Sequence, residues 1–173
     1  MGKVLSIAIL AAALIAGVAL YYLQVYHFYD EVRPVSEGGT VEMRITVASG
    51  ETRTLPVRDF DGIDADSSPI RFRACFETDL PPEAGLVPYE RAEPLNAPGW
   101  FDCFDAQAIG AALQEGTARA YLSEAHITYG IDRVIAVYPD GRAFAWHQIN
   151  RCGEVVFDGQ PAPDDCPEPP QGY

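Results

Sequence analysis

Lysine is almost missing from this 173-residue chain: Lys3 is the only one. Eleven arginines then face 25 acidic residues, and the formal net charge is −13. Such a surface excludes nucleic acid as a partner and disfavours close contact with anionic headgroups. A basic protein face would instead be steered towards it. Histidine is scarce too, with three in all: His27, His126 and His147. Two of these on neighbouring strands, plus a cysteine, would be a minimal copper or zinc set. Their spacing matches no known ligand pattern, so no metal is expected. The four cysteines show neither C-x-x-C nor C-x-x-C-H spacing, which removes a redox pair, a zinc ribbon and haem attachment. There is no G-x-S-x-G, H-E-x-x-H or phosphate-loop pattern. No catalytic residue and no cofactor are therefore indicated, although acid and base groups can assemble from distant positions. Asp64-Ala65-Asp66-Ser67-Ser68 begins like a calcium loop. It fails where Pro69 replaces the turn glycine and Cys75 the bidentate acid, and reads as a capped acidic turn.

What is present in excess is an uncharged start. Residues 4–23 carry no charge, and a helix of that length spans about 30 Å, the thickness of a hydrocarbon core. Lys3 and the amino terminus precede the run, and Asp30 and Glu31 follow it. The positive-inside rule then places the N-terminus in the cytoplasm and the rest of the chain outside it. Tyr21, Tyr22, Tyr26, Phe28 and Tyr29 form an aromatic belt at the far end, suited to the headgroup level. The competing reading is a secretory signal cleaved after Ala19, within Gly17-Val18-Ala19. The apolar run and its belt are longer than a signal needs, which favours a retained anchor. The opening Met1-Gly2-Lys3-Val4-Leu5-Ser6 fits a myristoylation pattern, but a spanning helix makes a lipid superfluous. The four-residue spacings Ala12–Ala16 and Ala13–Gly17 follow from an alanine-rich composition, or offer a close helix–helix approach.

Cys75, Cys103, Cys152 and Cys166 all lie in the part expected outside the cytoplasm, where disulfides persist. Three connectivities are open. Cys75–Cys103 with Cys152–Cys166 is the favoured one, because the second bridge would staple a proline-rich tail that cannot order itself by burial.

The pattern along the chain divides it into an anchor with its belt (1–29), a linker (30–39), an α+β domain (40–158) and the tail (159–173). Residues 41–47 alternate apolar and polar with a period of two, a strand signal, and 52–57 read as the returning strand. Pro56 pushes that strand to a sheet edge. Residues 59–69 read as an acidic loop and 70–76 as a strand. An irregular excursion with five prolines spans 79–99, and Trp100, Phe101 and Phe104 bring it back to a core. Asp105 is placed to cap a helix over 106–114, with Gly116 just past its end. Residues 119–128, 132–138 and 142–149 read as three strands, with Pro139-Asp140-Gly141 as a hairpin connection. A short fourth strand is expected over 154–157. The expected fold is a mainly antiparallel sheet with one short helix behind a single transmembrane helix.

Arginine, aromatic and histidine side chains concentrate in Arg71-Phe72-Arg73, residues 129–133 and residues 144–150. The candidate recognition surface is Arg71, Arg73, Tyr129, Asp132, Arg133, Trp146 and His147. The same stretches carry a resemblance. The run into Tyr21-Tyr22-Leu23-Gln24-Val25-Tyr26, the segments 64–76 and 95–105, and residues 129–150 resemble a family of small, membrane-anchored alphaproteobacterial proteins with a domain of unknown function. The resemblance implies an anchored, extracytoplasmic protein and no reaction, cofactor or catalytic residue.

Two functional expectations stand side by side. One is a non-catalytic accessory subunit or assembly factor beside an integral membrane protein complex, such as a respiratory one, in the inner membrane. The other is a periplasmic module or enzyme binding a small molecule or metal.

Overall fold

The uncharged start forms one helix, α1 (Gly2–Tyr22), closed by a single π-helical turn, Leu23–His27. The computed structural model describes residues 2–80 and 85–171. Pro81 and Pro82 of the expected excursion, Met1 and the last two residues of the tail lie outside them. None of the α1 side chains is buried, and the helix is long and apolar enough to cross a membrane.

Only Phe28 and Tyr29 separate the π turn from β1 (Asp30–Val32). This strand falls within the stretch expected as linker. A short ribbon follows, β2 (Arg44–Thr46) paired antiparallel with β3 (Thr52–Thr54). Then come β4 (Arg58–Asp64), β5 (Arg73–Glu77), α2 (Ala106–Glu115), β6 (Arg119–Thr128), β7 (Ile131–Val137), β8 (Arg142–Ile149) and α3 (Arg151–Phe157). The main sheet has six strands in the order β1-β4-β5-β8-β7-β6, and every neighbouring pair is antiparallel.

The sheet is covered on both faces. Ile135 and Val137 of β7 pack with Met43, Ile45, Leu55, Phe72 and Phe76 under the ribbon. Val134 and Ala136 point the other way, to Ile63, Phe101, Phe104, Ile109 and Trp146 under α2 and its approach. A strand buried on both faces loses its polar alternation, and every residue of β7 is buried. Asp105 accepts from the amides of Gln107 and Ala108, and Gly116 at φ 74° ends the helix, as expected. The hairpin glycine, Gly141, sits at φ 92°.

Two local expectations are corrected. The acidic loop of 59–69 contains β4, whose register shifts between Arg58 and Asp61 while Asp59 takes a φ of 48°. The bulge breaks the period of two, which hid the strand. Gly62 completes it: a Cβ there would lie 2.6 Å from the Phe60 ring, which folds across the glycine. The strand expected over 154–157 is part of α3. Asn150 caps it by accepting from the Gly153 amide, and Gly153 packs so closely on Gly130 that a Cβ would meet the Gly130 carbonyl oxygen at 2.4 Å. Val155, Val156 and Phe157 favour strands in isolation; the cap and the close contact override them.

Both favoured disulfides are present, Cys75–Cys103 and Cys152–Cys166. The tail beyond α3 is tied further by an Arg151–Asp165 ion pair and by the Tyr129 hydroxyl, which donates to Pro167 O at 3.1 Å.

Candidate functional site

Strands β7 and β8 set Arg133 directly opposite His147. Arg133 Nε donates to His147 Nε2 at 3.1 Å, and Arg133 Nη1 donates to Glu42 O at 3.1 Å. His147 Nδ1, carrying the proton in this tautomer, donates to Pro69 O at 2.8 Å. Phe72 lies against both, its ring centroid 4.7 Å from the imidazole and 4.7 Å from the guanidinium carbon. Burial, and then the Arg133 charge, hold His147 neutral and push its pKa down to about 3. Burial lowers Arg133 as well.

This histidine makes the fold acid-sensitive. The unfolded chain protonates His147 near pH 6.5, whereas the folded chain resists until about pH 3. Stability is therefore full above about 6.5 and falls as pH drops through that window, by on the order of 5 kcal/mol at most. Asp64, raised by burial, works in the opposite direction. We expect His147→Phe to flatten the fall, measured as denaturant midpoints between pH 7 and pH 4. An unchanged slope would contradict this assignment.

Arg73 is a carbonyl clamp. Its Nε donates to Leu95 O at 2.7 Å, Nη1 to Ile70 O at 2.8 Å and Phe72 O at 2.6 Å, and Nη2 to Asn96 O at 3.2 Å. Burial pushes its pKa down to about 10, which leaves it charged at physiological pH. Asp132 is a second hub. Oδ1 accepts from the His126 amide at 3.0 Å and Asn150 Nδ2 at 2.7 Å, and Oδ2 accepts from the Tyr89 hydroxyl at 3.2 Å. Burial first, then Asp132, raise the Tyr89 pKa. Trp146 is fully enclosed and donates to Gln148 Oε1 at 3.2 Å.

The residues expected to form a recognition surface thus lie mostly inside. Arg73, Tyr129, Asp132, Arg133, Trp146 and His147 are all buried, and only Arg71 is half-exposed, its guanidinium carbon 5.3 Å over the Tyr29 ring. Arg133 and His147 are brought together; Asp132 belongs to a separate network with Tyr89 and Asn150. His126 Nδ1 accepts from the Gly130 amide at 3.2 Å, and all four cysteines are paired. Asp64 Oδ1 accepts from the Ala65 amide at 2.8 Å, a capped turn. Among the described residues no group of three or more histidines, cysteines or acids is placed to hold a metal.

Two surface concavities were not read from the sequence. A groove of about 960 Å³ runs between α2, the chain after Gly85 and β6, lined by Pro88, Tyr89, Ala106, Gly110, Leu113 and Ala120. The signal for it was Ala106 and Gly110, small residues one turn apart on α2. A second, of about 580 Å³, gathers Asp30, Glu31, Glu42, Asp64 and Glu124 around Arg44 and Arg133. No curated protein and no solved structure matches the chain. One family model matches residues 41–167, most of the chain beyond the apolar helix, and on that match the chain belongs to a family of unknown function, DUF6446.

Proposed function

We propose that this protein is a membrane-anchored, extracytoplasmic interaction protein: an accessory subunit or assembly factor held beside a membrane complex, such as a respiratory one. One observation carries the reading. An apolar helix with no buried side chain is joined to a globule whose buried Arg73, Arg133, Asp132 and His147 are all engaged by their own chain. The ionisable interior holds the fold together, and the anchor fixes where the fold acts. Lys3 before the helix and Asp30 and Glu31 after it support a cytoplasmic N-terminus. On this reading, and in line with the alphaproteobacterial resemblance, the membrane is the inner one and the domain is periplasmic. Tethering raises the effective concentration of the domain near membrane partners, and its acidity favours a partner with a basic face.

The test is extraction of the tagged chain in mild detergent, followed by a native gel and identification of what co-migrates. The expected result is a band far above the 18.9 kDa of the chain, containing a polytopic membrane protein. A lone monomer with no companion would overturn the reading.

The groove along α2 favours a second reading, a small-molecule binding module, since ligand pockets are about 300–1,000 Å³. Gly110 has open space where a Cβ would stand, so Gly110→Trp should fill the groove without unfolding the chain. A metabolite that raises the melting temperature of the wild type and not of Gly110→Trp would favour this reading over the first.

A further inference from the structure

The membrane helix does not end freely. Its last carbonyls have no partner within the helix, and near hydrocarbon an unpaired carbonyl is costly. Trp100 Nε1 donates to Val25 O at 2.6 Å. The rings of Tyr26 and Tyr29 flank the indole at 6.2 and 5.9 Å, and Tyr22 stacks on Tyr26 at 5.8 Å. Tyr21, Tyr22, Tyr26 and Phe28 remain exposed around this cluster.

The segment that carries Trp100 is rigid for three separate reasons. Arg73 clamps the Leu95 and Asn96 carbonyls on one side of it. Cys103 is bonded to Cys75 in the sheet on the other. Phe101 and Phe104, which flank the turn, are buried. The chain leaving the helix is fixed as well, because β1 pairs with β4 only two residues after the π turn. The helix exit is therefore held from both chain directions, with no flexible stretch between it and the sheet.

We propose that Trp100 and the tyrosines around it form a docking face for the zwitterionic headgroup layer, so that the domain lies on the bilayer in one orientation instead of swinging on a tether. Tryptophan and tyrosine suit this depth because one edge of the ring system is apolar and the other is polar. Continuity with the apolar helix places the cluster there. The occupant is a zwitterionic surface, since Asp30 and Glu31 lie beside the cluster and the net charge of −13 opposes anionic lipid. The inference rests on the anchored reading above.

The chain has two tryptophans, and Trp146 is fully enclosed, which supplies an internal reference. The full chain is reconstituted into phosphatidylcholine vesicles whose acyl chains carry bromine near the headgroup, near the chain end, or nowhere. Trp100 emission is taken as the part absent in Trp100→Phe. The expected result is loss of most of that emission with shallow bromine, a smaller loss with deep bromine, and unchanged Trp146 emission. Flotation of the same vesicles separates the possible failures. A chain that floats, with equal Trp100 emission in all three vesicles, overturns the docking face and leaves the anchor standing. A chain that does not float overturns both.

Discussion

Arg73→Ala is expected to destabilise the folded domain by about 3–5 kcal/mol, the combined cost of leaving several buried carbonyls unpaired. The substitution leaves the Ile70, Phe72, Leu95 and Asn96 carbonyls without their donor. Each unsatisfied buried acceptor costs about 1–3 kcal/mol, less whatever water can replace. It also frees the stretch before Trp100, which no regular element crosses. Arg73→Lys should recover only part of the loss, because a single ammonium cannot reach carbonyls that the planar guanidinium meets along three directions. Denaturant unfolding of the detergent-solubilised chain measures both variants. A loss below about 1 kcal/mol for the alanine variant, within the range of an ordinary surface substitution, would show that the clamp is incidental.

The second large effect separates the two disulfides. The chain-entropy estimate differs little between them: about 3 kcal/mol for the 14-residue separation and about 3.5 for the 28-residue one. Location decides the ranking. Cys75 is buried in the sheet among Ile63, Phe101, Phe104 and Trp146, so serine there also places a hydroxyl where an apolar sulfur packed. Cys166 sits in the tail, where Tyr129 and Arg151 still hold neighbouring residues. We expect the paired change Cys75→Ser with Cys103→Ser to cost about 4–5 kcal/mol, at the upper end for a native disulfide. The change Cys152→Ser with Cys166→Ser should instead loosen the tail and leave the sheet transition largely in place. Hydrogen exchange on the two variants reads the difference residue by residue. Equal global destabilisation would contradict the ranking.

The elements legible in the sequence were those whose signal is local. Asp105 and Gly116 mark the ends of α2, Pro139-Asp140-Gly141 marks a hairpin, and the uncharged run marks the long apolar helix α1; each works through its own backbone or its own side chains. Three cysteine pairings were open in the sequence; the one present was favoured because its second bridge closes a short loop over a tail with no core of its own. Strand β4 was not legible, because a bulge at Asp59 breaks the alternation and three acids mask Phe60 and Ile63. Helix α3 was not, because Val155, Val156 and Phe157 read as a strand and the close packing of Gly153 on Gly130 is remote in sequence. The candidate site divides along the same line. Arginine, histidine and tryptophan were correctly seen to be concentrated in 71–73 and 129–150, but burial is a tertiary property. Arg73 and Arg133 are charged, yet the fold turns both inward onto carbonyls. The Trp100–Val25 contact, 75 residues apart, has no signature in either segment alone.

The most direct test of the account is thiol labelling on carbonate-washed membranes from cells making the native chain. The account predicts the intact polypeptide, starting at its own N-terminus, in the membrane pellet, with all four sulfurs inert to maleimide until a reductant is added. Recovery in the soluble fraction with sulfurs that label at once, or a membrane-free species beginning after Ala19, would contradict it.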